Sequence, residues 1–134
     1  MLILDSNTIS YYFRGDPDVV PRMQAEPPSA FAVPAIVAYE LRYGLLRLPP
    51  TAGKPRLQAL DKLLGLLPIL PFDAACAAQA AAIRAALERQ GRPIGPHDLL
   101  IAAIALQHKA PLVTRNVREF GQVPGLQVVN WHKA

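Results

Sequence analysis

Short apolar runs, closed by polar or proline-rich turns, alternate along this chain with longer stretches whose apolar residues recur at helical spacing. The first run, Met1-Leu2-Ile3-Leu4, stops at Asp5 and is followed by Ser6-Asn7-Thr8; it predicts a buried strand and a turn that opens a helix through Tyr12. Pro17, Pro21, Pro27 and Pro28 then punctuate two short helical pieces. Phe31-Ala32-Val33 predicts a second strand, and Pro34 suits the first turn of a helix over about 35–48, whose apolar faces carry Ile36, Tyr39, Leu41 and Tyr43. Pro49-Pro50-Thr51-Ala52-Gly53 reads as the close of that helix. Beyond it Leu57, Leu60, Leu63, Leu64 and Leu67 mark a packed amphipathic helix. Residues 67–72, limited by Pro68 and Pro71, predict a short strand at a sheet edge. Asp73 has N-cap chemistry ahead of an alanine-rich helix over 74–90. A loop over 91–97 follows, then an apolar helix opened by Asp98 and running to about His108, a strand over 111–114, a loop over 115–121 and a last strand over 126–129.

Strands alternating with helices imply βαβ units and a mainly parallel sheet covered on both faces, an α/β fold. At 134 residues, without repeats, linkers or low-complexity tracts, the expectation is one domain over 1–134. Half of the residues are hydrophobic (51%) and 18% are charged, which excludes a disordered tail. No apolar run reaches the roughly 20 residues of a membrane helix. The N-terminus lacks the basic and apolar regions of a signal peptide, and a lone cysteine, Cys76, gives no disulfide framework. A cytoplasmic location with no membrane association is the expectation, with Cys76 a small packing residue among alanines. The net charge of +4 is compatible with a polyanionic partner and does not by itself identify one.

The placement of the few acids changes the picture more. Asp5 follows a buried strand, where open α/β folds gather their ligands; as a residue type it also fits a helix cap, but a carboxylate leaving a buried strand needs a partner. Glu40 lies mid-helix between Tyr39 and Leu41, and Asp98 directly precedes Leu99-Leu100-Ile101-Ala102-Ala103. Singly they read as a solvent-facing glutamate and a second cap. Asn116 and Glu119 follow the strand ending Val113-Thr114, where a turn former and a surface charge are the plain alternatives. Together, Asp5, Asp98 and Asn116 fall at the carboxyl ends of strands or in adjoining loops, and the helix after Val33 can bring Glu40 to the same edge. Crowded carboxylates ionise together at neutral pH only around a cation. All-oxygen donors suit Mg²⁺ or Mn²⁺ rather than zinc, and such a site activates water against a phosphodiester.

Five segments carry a resemblance. They are Leu4-Asp5-Ser6-Asn7-Thr8-Ile9-Ser10, Tyr39-Glu40-Leu41-Arg42-Tyr43-Gly44, Ile94-Gly95-Pro96-His97-Asp98-Leu99-Leu100-Ile101-Ala102, Val113-Thr114-Arg115-Asn116-Val117-Arg118-Glu119-Phe120, and Val123-Pro124-Gly125-Leu126 with Asn130-Trp131. In order and spacing they resemble PIN-domain proteins, and within that class the VapC-type toxins of bacterial type II toxin–antitoxin pairs; 51–90 match only in helical character. The resemblance implies a PIN-like three-layer α/β/α sandwich and a Mg²⁺- or Mn²⁺-dependent endoribonuclease, with tRNA or rRNA as targets and tRNA the expected one. It maps the catalytic and metal-binding acids onto Asp5, Glu40 and Asp98. The fourth acidic position is the neutral Asn116, with Glu119 nearby to supply the charge. Asn7, Thr8 and Thr114 match polar positions that hold the acids in place. His97 adjoins the site in a structural or substrate-contacting role.

The same resemblance implies a VapB-type antitoxin, a homodimer, and contact with operator DNA only through the antitoxin. Tyr11, Tyr12 and Phe13 suit a dimer or antitoxin surface or, equally, an aromatic core. Arg14, Arg42, Arg47, Arg115 and Arg118 are candidates for guiding an RNA backbone. Two other acid-pocket classes fit less well: a receiver domain wants a phosphorylatable aspartate after a third strand and a later lysine, and a haloacid-dehalogenase-type phosphatase wants Asp-x-Asp where Asp5-Ser6-Asn7 stands. A degenerate PIN domain, kept as a protein-binding module without nuclease activity, is the non-enzymatic alternative; the intact Asp5, Glu40 and Asp98 argue against it.

Overall fold

The computed structural model describes residues 1–133. Its elements are β1 (Leu2–Leu4), α1 (Ser6–Phe13), α2 (Val20–Gln24), a 3₁₀ turn (Pro28–Ala30), β2 (Phe31–Pro34), α3 (Ala35–Leu46), α4 (Pro50–Leu64), β3 (Ile69–Leu70), α5 (Ala74–Arg89), α6 (Pro96–Gln107), β4 (Leu112–Val113), α7 (Val117–Phe120) and β5 (Val128–Val129). The strands form one sheet in the order β3-β2-β1-β4-β5, and every neighbouring pair is parallel. Ile3 pairs with Ala32 on one side and with Leu112 on the other, so β1 is the central strand. The α/β fold expected from the alternation is present, with the proline-flanked β3 at an edge as its Pro68 and Pro71 require.

Burial explains the continuous apolar strands. Ile3, Leu4, Ala32, Val33 and Leu112 are fully inaccessible, as strands covered on both faces must be. From β1 the chain steps to β2 and β3 on one side, then crosses back to β4 and β5 on the other. The order reverses between β1 and β4, so the carboxyl ends of these two strands open a crevice at the topological switch point. Helix α6 packs against α5 and α3, and its whole run Ile101 to Ala105 is buried. The small residues of α5, Cys76 and Ala80 among them, face inward and allow close approach. Cys76 is fully buried, and burial pushes its thiol upward, as befits a packing residue.

Three boundaries differ from the sequence reading. Residues 49–53 do not simply close the preceding helix: α3 ends at Leu46, and Pro50 to Gly53 are the first turn of α4. Pro50 costs nothing there because the first turn has no intrahelical use for its N–H. Likewise α6 begins at Pro96, two residues before Asp98, and Gly95 is its N-cap. The segment read as a loop over 115–121 contains the single turn α7, too short for any period to announce it.

Gly53 looked like a helix breaker and is instead a packing residue. A Cβ on it would come within 2.8 Å of the Leu45 carbonyl oxygen, a backbone atom of α3 that cannot swing aside. Elsewhere in a helix, glycine to alanine stabilises by roughly 0.5–1 kcal/mol. Here Gly53→Ala is expected to destabilise by about 1–3 kcal/mol through overpacking between α3 and α4. The midpoint of urea unfolding checks the sign; an increase would show that the two helices separate without penalty.

Candidate active site

Asp5 leaves β1 and caps α1: its Oδ1 accepts the backbone N–H of Thr8 at 2.8 Å. The cap reading of this residue is met by that geometry. Asp5 is only 4% exposed, and burial pushes its carboxyl above the usual range. Hydrogen bonds from Thr114 and Thr8 counter that push, and the charge of Glu40 adds to it. The Thr114 hydroxyl accepts the Asn116 N–H at 3.0 Å, which leaves its proton for Asp5. Thr8 also donates through Oγ1 to the Val113 carbonyl at 3.2 Å, stitching α1 to β4 across the switch point. Two of the three expected supporting residues thus hold Asp5. The third, Asn7, is exposed and makes no hydrogen bond to the acids among the described residues.

Glu40 stands on α3 at the opposite wall. Its Oε1 accepts from Ser6 Oγ at 2.5 Å, and its Oε2 lies 3.1 Å from Nδ1 of His97. The sequence reading gave Ser6 no role at the site; its adjacency to Asp5 is the only signal for one. His97 is a half-exposed brace for Glu40.

Asp98 occupies the first turn of α6 and shares a hydrogen bond with Glu119. Glu119 is fixed by the Gly95 N–H at 2.6 Å and by Nδ2 of Asn116 at 2.8 Å. The structure therefore joins Asn116, Glu119 and Asp98, and adds the Gly95 N–H, which sequence reasoning passed over because a backbone donor has no side-chain signature. Desolvation pushes the Asp98 carboxyl up to about 7, helped by the hydrogen bond and charge of Glu119 and by the charges of Glu40 and Asp5. Desolvation acts upward on Glu119 too, but the Gly95 N–H, Asn116 and Asp98 outweigh it and hold this carboxyl below its usual range. The two carboxyls titrate as a pair, with Asp98 pushed upward and Glu119 held down.

Among the described residues, no three acidic, histidine or cysteine side chains converge as a ready-made ion cage. Glu40 is engaged by Ser6 and His97, and Asp98 by Glu119.

The arginines divide. Arg42 is bound to Asp61 on α4, which removes it from the group of free cations. Arg14 and Arg115 both lie over the Tyr11 ring, at 5.8 and 5.6 Å, and Arg115 stands between Thr114 and Asn116 in sequence. Arg47 covers Tyr43 at 5.6 Å, and Arg118 is exposed on α7. Tyr11 and Tyr12 pack partly against the core, while Phe13 is 46% exposed.

The PIN domain family matches residues 2–126, and the chain belongs to that family. Its relatives within it are VapC ribonucleases. The chain is 39% identical over 106 residues to ribonuclease VapC2 of Rickettsia felis, covering 78% of this chain and 77% of that protein. It is 30% identical over 129 residues, 96% of either chain, to the tRNA(fMet)-specific endonuclease VapC of Salmonella typhimurium. Among solved structures, VapBC2 of Rickettsia felis bound to a DNA fragment from its promoter matches with a TM-score of 0.88 at 31% identity over 98% of both chains.

The raised Asp98 has a measurable consequence in metal-free protein. Its folded value of about 7 exceeds the ordinary 3.8, so between those pH values the folded state binds more protons than the unfolded state. Stability contributed at low pH is lost as pH rises through this window. Asp98→Asn removes the loss, and with solvent screening discounted it should raise Tm at pH 8 by about 3–5 °C, the shift of roughly 1 kcal/mol in a chain of this size. Thermal melts in EDTA at pH 4.5 and 8 check this; equal shifts at both pH values would contradict it.

Proposed function

We propose that this chain is the toxin of a type II toxin–antitoxin pair, a Mg²⁺- or Mn²⁺-dependent endoribonuclease that cleaves tRNA in the cytoplasm. The observation that carries the reading is the placement of Asp5 at the end of β1, Glu40 on α3 and Asp98 in the first turn of α6, near enough that the charge of Glu40 pushes Asp5 upward and the charges of Glu40 and Asp5 push Asp98 upward. The donor set fits a hard divalent cation: it is all oxygen, and the proton kept on Asp98 near neutral pH marks a deficit of positive charge that a cation relieves.

Asp5, Glu40 and Asp98 would hold the ion, with Glu119 and Asn116 steering Asp98. Bound there, a divalent ion lowers the pKa of water and stabilises charge on the phosphoryl group undergoing in-line attack. The chain itself supplies position. Thr8 and Thr114 fix Asp5, Ser6 and His97 fix Glu40, and the Gly95 N–H fixes Glu119. Arg115, next after Thr114, and Arg14, which shares the Tyr11 ring with it, offer guanidinium groups that can pair with backbone phosphates.

Relatives named as VapC and a neighbour solved as VapBC2 on promoter DNA support a VapB-type antitoxin as the partner, with operator DNA reached through it. The tRNA assignment follows the name of the Salmonella typhimurium relative. No helix of the described residues is long and apolar enough to cross a membrane.

Purified chain, separated from its antitoxin, should cleave tRNA with added Mg²⁺ or Mn²⁺ and stop on addition of EDTA. Asp5→Asn and Asp98→Asn should each lower the rate at least about 100-fold while leaving antitoxin binding intact. Antitoxin binding without metal-dependent cleavage by wild type would establish a binding module instead, and cleavage surviving Asp5→Asn would expose a contaminating nuclease.

A further inference from the structure

Two tyrosines on the exposed side of α3 stand one turn apart, Tyr39 at 55% and Tyr43 at 54% exposure. Their rings are nearly parallel, with 16° between planes and 6.3 Å between centroids. The Arg47 guanidinium lies 5.6 Å from the Tyr43 centroid. At the other end Tyr39 meets the His97 ring edge-on at 5.6 Å, and His97 in turn reaches Glu40. Guanidinium, two rings, imidazole and carboxylate thus follow one another along α3 and end in the acid site.

Beyond the edge-on contact of Tyr39 with His97 the acid cluster does not use the two rings, and leaving two large aromatic faces in water forgoes a substantial burial gain. A protein partner wants an apolar patch with a polar rim. This strip instead carries charge within its length, Arg47 at one end and the His97–Glu40 pair at the other. Flat π faces beside a guanidinium match an unpaired nucleotide, whose base stacks and whose phosphate is anionic. A net charge of +4 favours the same partner.

We propose that Tyr39 and Tyr43 form a stacking shelf for one or two unpaired bases of single-stranded RNA next to the phosphodiester held at the acid site, with Arg47 facing the phosphate beyond. The shelf rests on the ribonuclease reading above. It orients substrate and takes no part in the chemistry.

Binding of antitoxin-free protein to a fluorescein-labelled single-stranded oligoadenylate, in EDTA so that no cleavage occurs, reads the shelf directly. Tyr39→Leu and Tyr43→Leu are each expected to weaken binding about tenfold, the scale of one lost base–aromatic stack, while Tyr43→Trp keeps it. An abasic oligonucleotide of the same length should bind wild type and the leucine variants alike. In cleavage with metal, the leucine variants should raise KM and spare kcat, the opposite of Asp5→Asn. Unchanged affinity in both leucine variants, with unchanged melting temperature, overturns the shelf. So does a fall from dimer to monomer mass at unchanged RNA affinity, which assigns this face to a second copy of the chain. Wild type that neither binds nor cleaves RNA defeats the ribonuclease reading itself; wild type that cleaves while the leucine variants bind normally defeats the shelf alone.

Discussion

Everything around the crevice answers to one constraint, a carboxylate set at the carboxyl end of the central strand where water barely reaches. Asp5 is 4% exposed and follows two fully buried residues, Ile3 and Leu4. A buried carboxylate without donors is costly. Its donors come from two elements on either side of the switch point: the start of α1 through Thr8, and the residue after β4 through Thr114. Thr8 also joins the two elements through the Val113 carbonyl, while Thr114 accepts the Asn116 N–H within its own turn. Satisfying Asp5 therefore also fixes the geometry of the crevice, and β1 cannot be displaced from β4 without undoing both.

The second tier depends on the first. Glu40 and Asp98 feel Asp5 and each other as like charges, and the chain relieves that repulsion in two ways. Glu40 is drawn aside by Ser6 and His97. Asp98 is pushed upward beside Glu119, which its own donors hold below its usual range. A neutral amide at Asn116 then makes sense: it donates to Glu119, which a carboxylate at that position could not do without a proton of its own. In the proposed nuclease, the positive charge that arrives with a cation would replace these two devices.

How much of this was readable in advance follows from the range over which each signal acts. Short apolar runs marked all five strands: β1, β2 and β4 because a strand buried on both faces is uninterrupted in sequence, the half-exposed edge strands β3 and β5 because turn residues bound them. Asp5, Glu40 and Asp98 stood out because acids beside apolar runs are conspicuous. What sequence obscured was proline and glycine at the α3–α4 junction, where residues that usually break helices instead begin one, and where Gly53 is set by the Leu45 carbonyl across the junction. Backbone donors such as the Gly95 N–H leave no trace in residue identity. Nor does pairing at a distance, which is why Arg42 looked as available as Arg47 until Asp61 was seen beside it.

The two flanks of the crevice differ in kind, and that difference bears on how a polymer would lie across it. On the β4 side, two guanidiniums share the Tyr11 ring, which His132 also meets edge-on at 4.7 Å. The ring there is largely occupied by its own neighbours, and the charges are what it presents. On the α3 side the order is inverted: two exposed rings are presented, with a single guanidinium at their end. A single strand of RNA is itself asymmetric, with phosphates along one edge and bases along the other. A strand laid through the crevice with its phosphates toward Arg14 and Arg115 and its bases toward Tyr39 and Tyr43 matches both flanks at once, whereas the reverse placement faces bases with charge and phosphates with π faces. A duplex, whose bases are already stacked and paired, gains nothing from the rings. On the proposed shelf, the flanks would favour unpaired RNA by the same charges and surfaces that would hold its backbone against the acids.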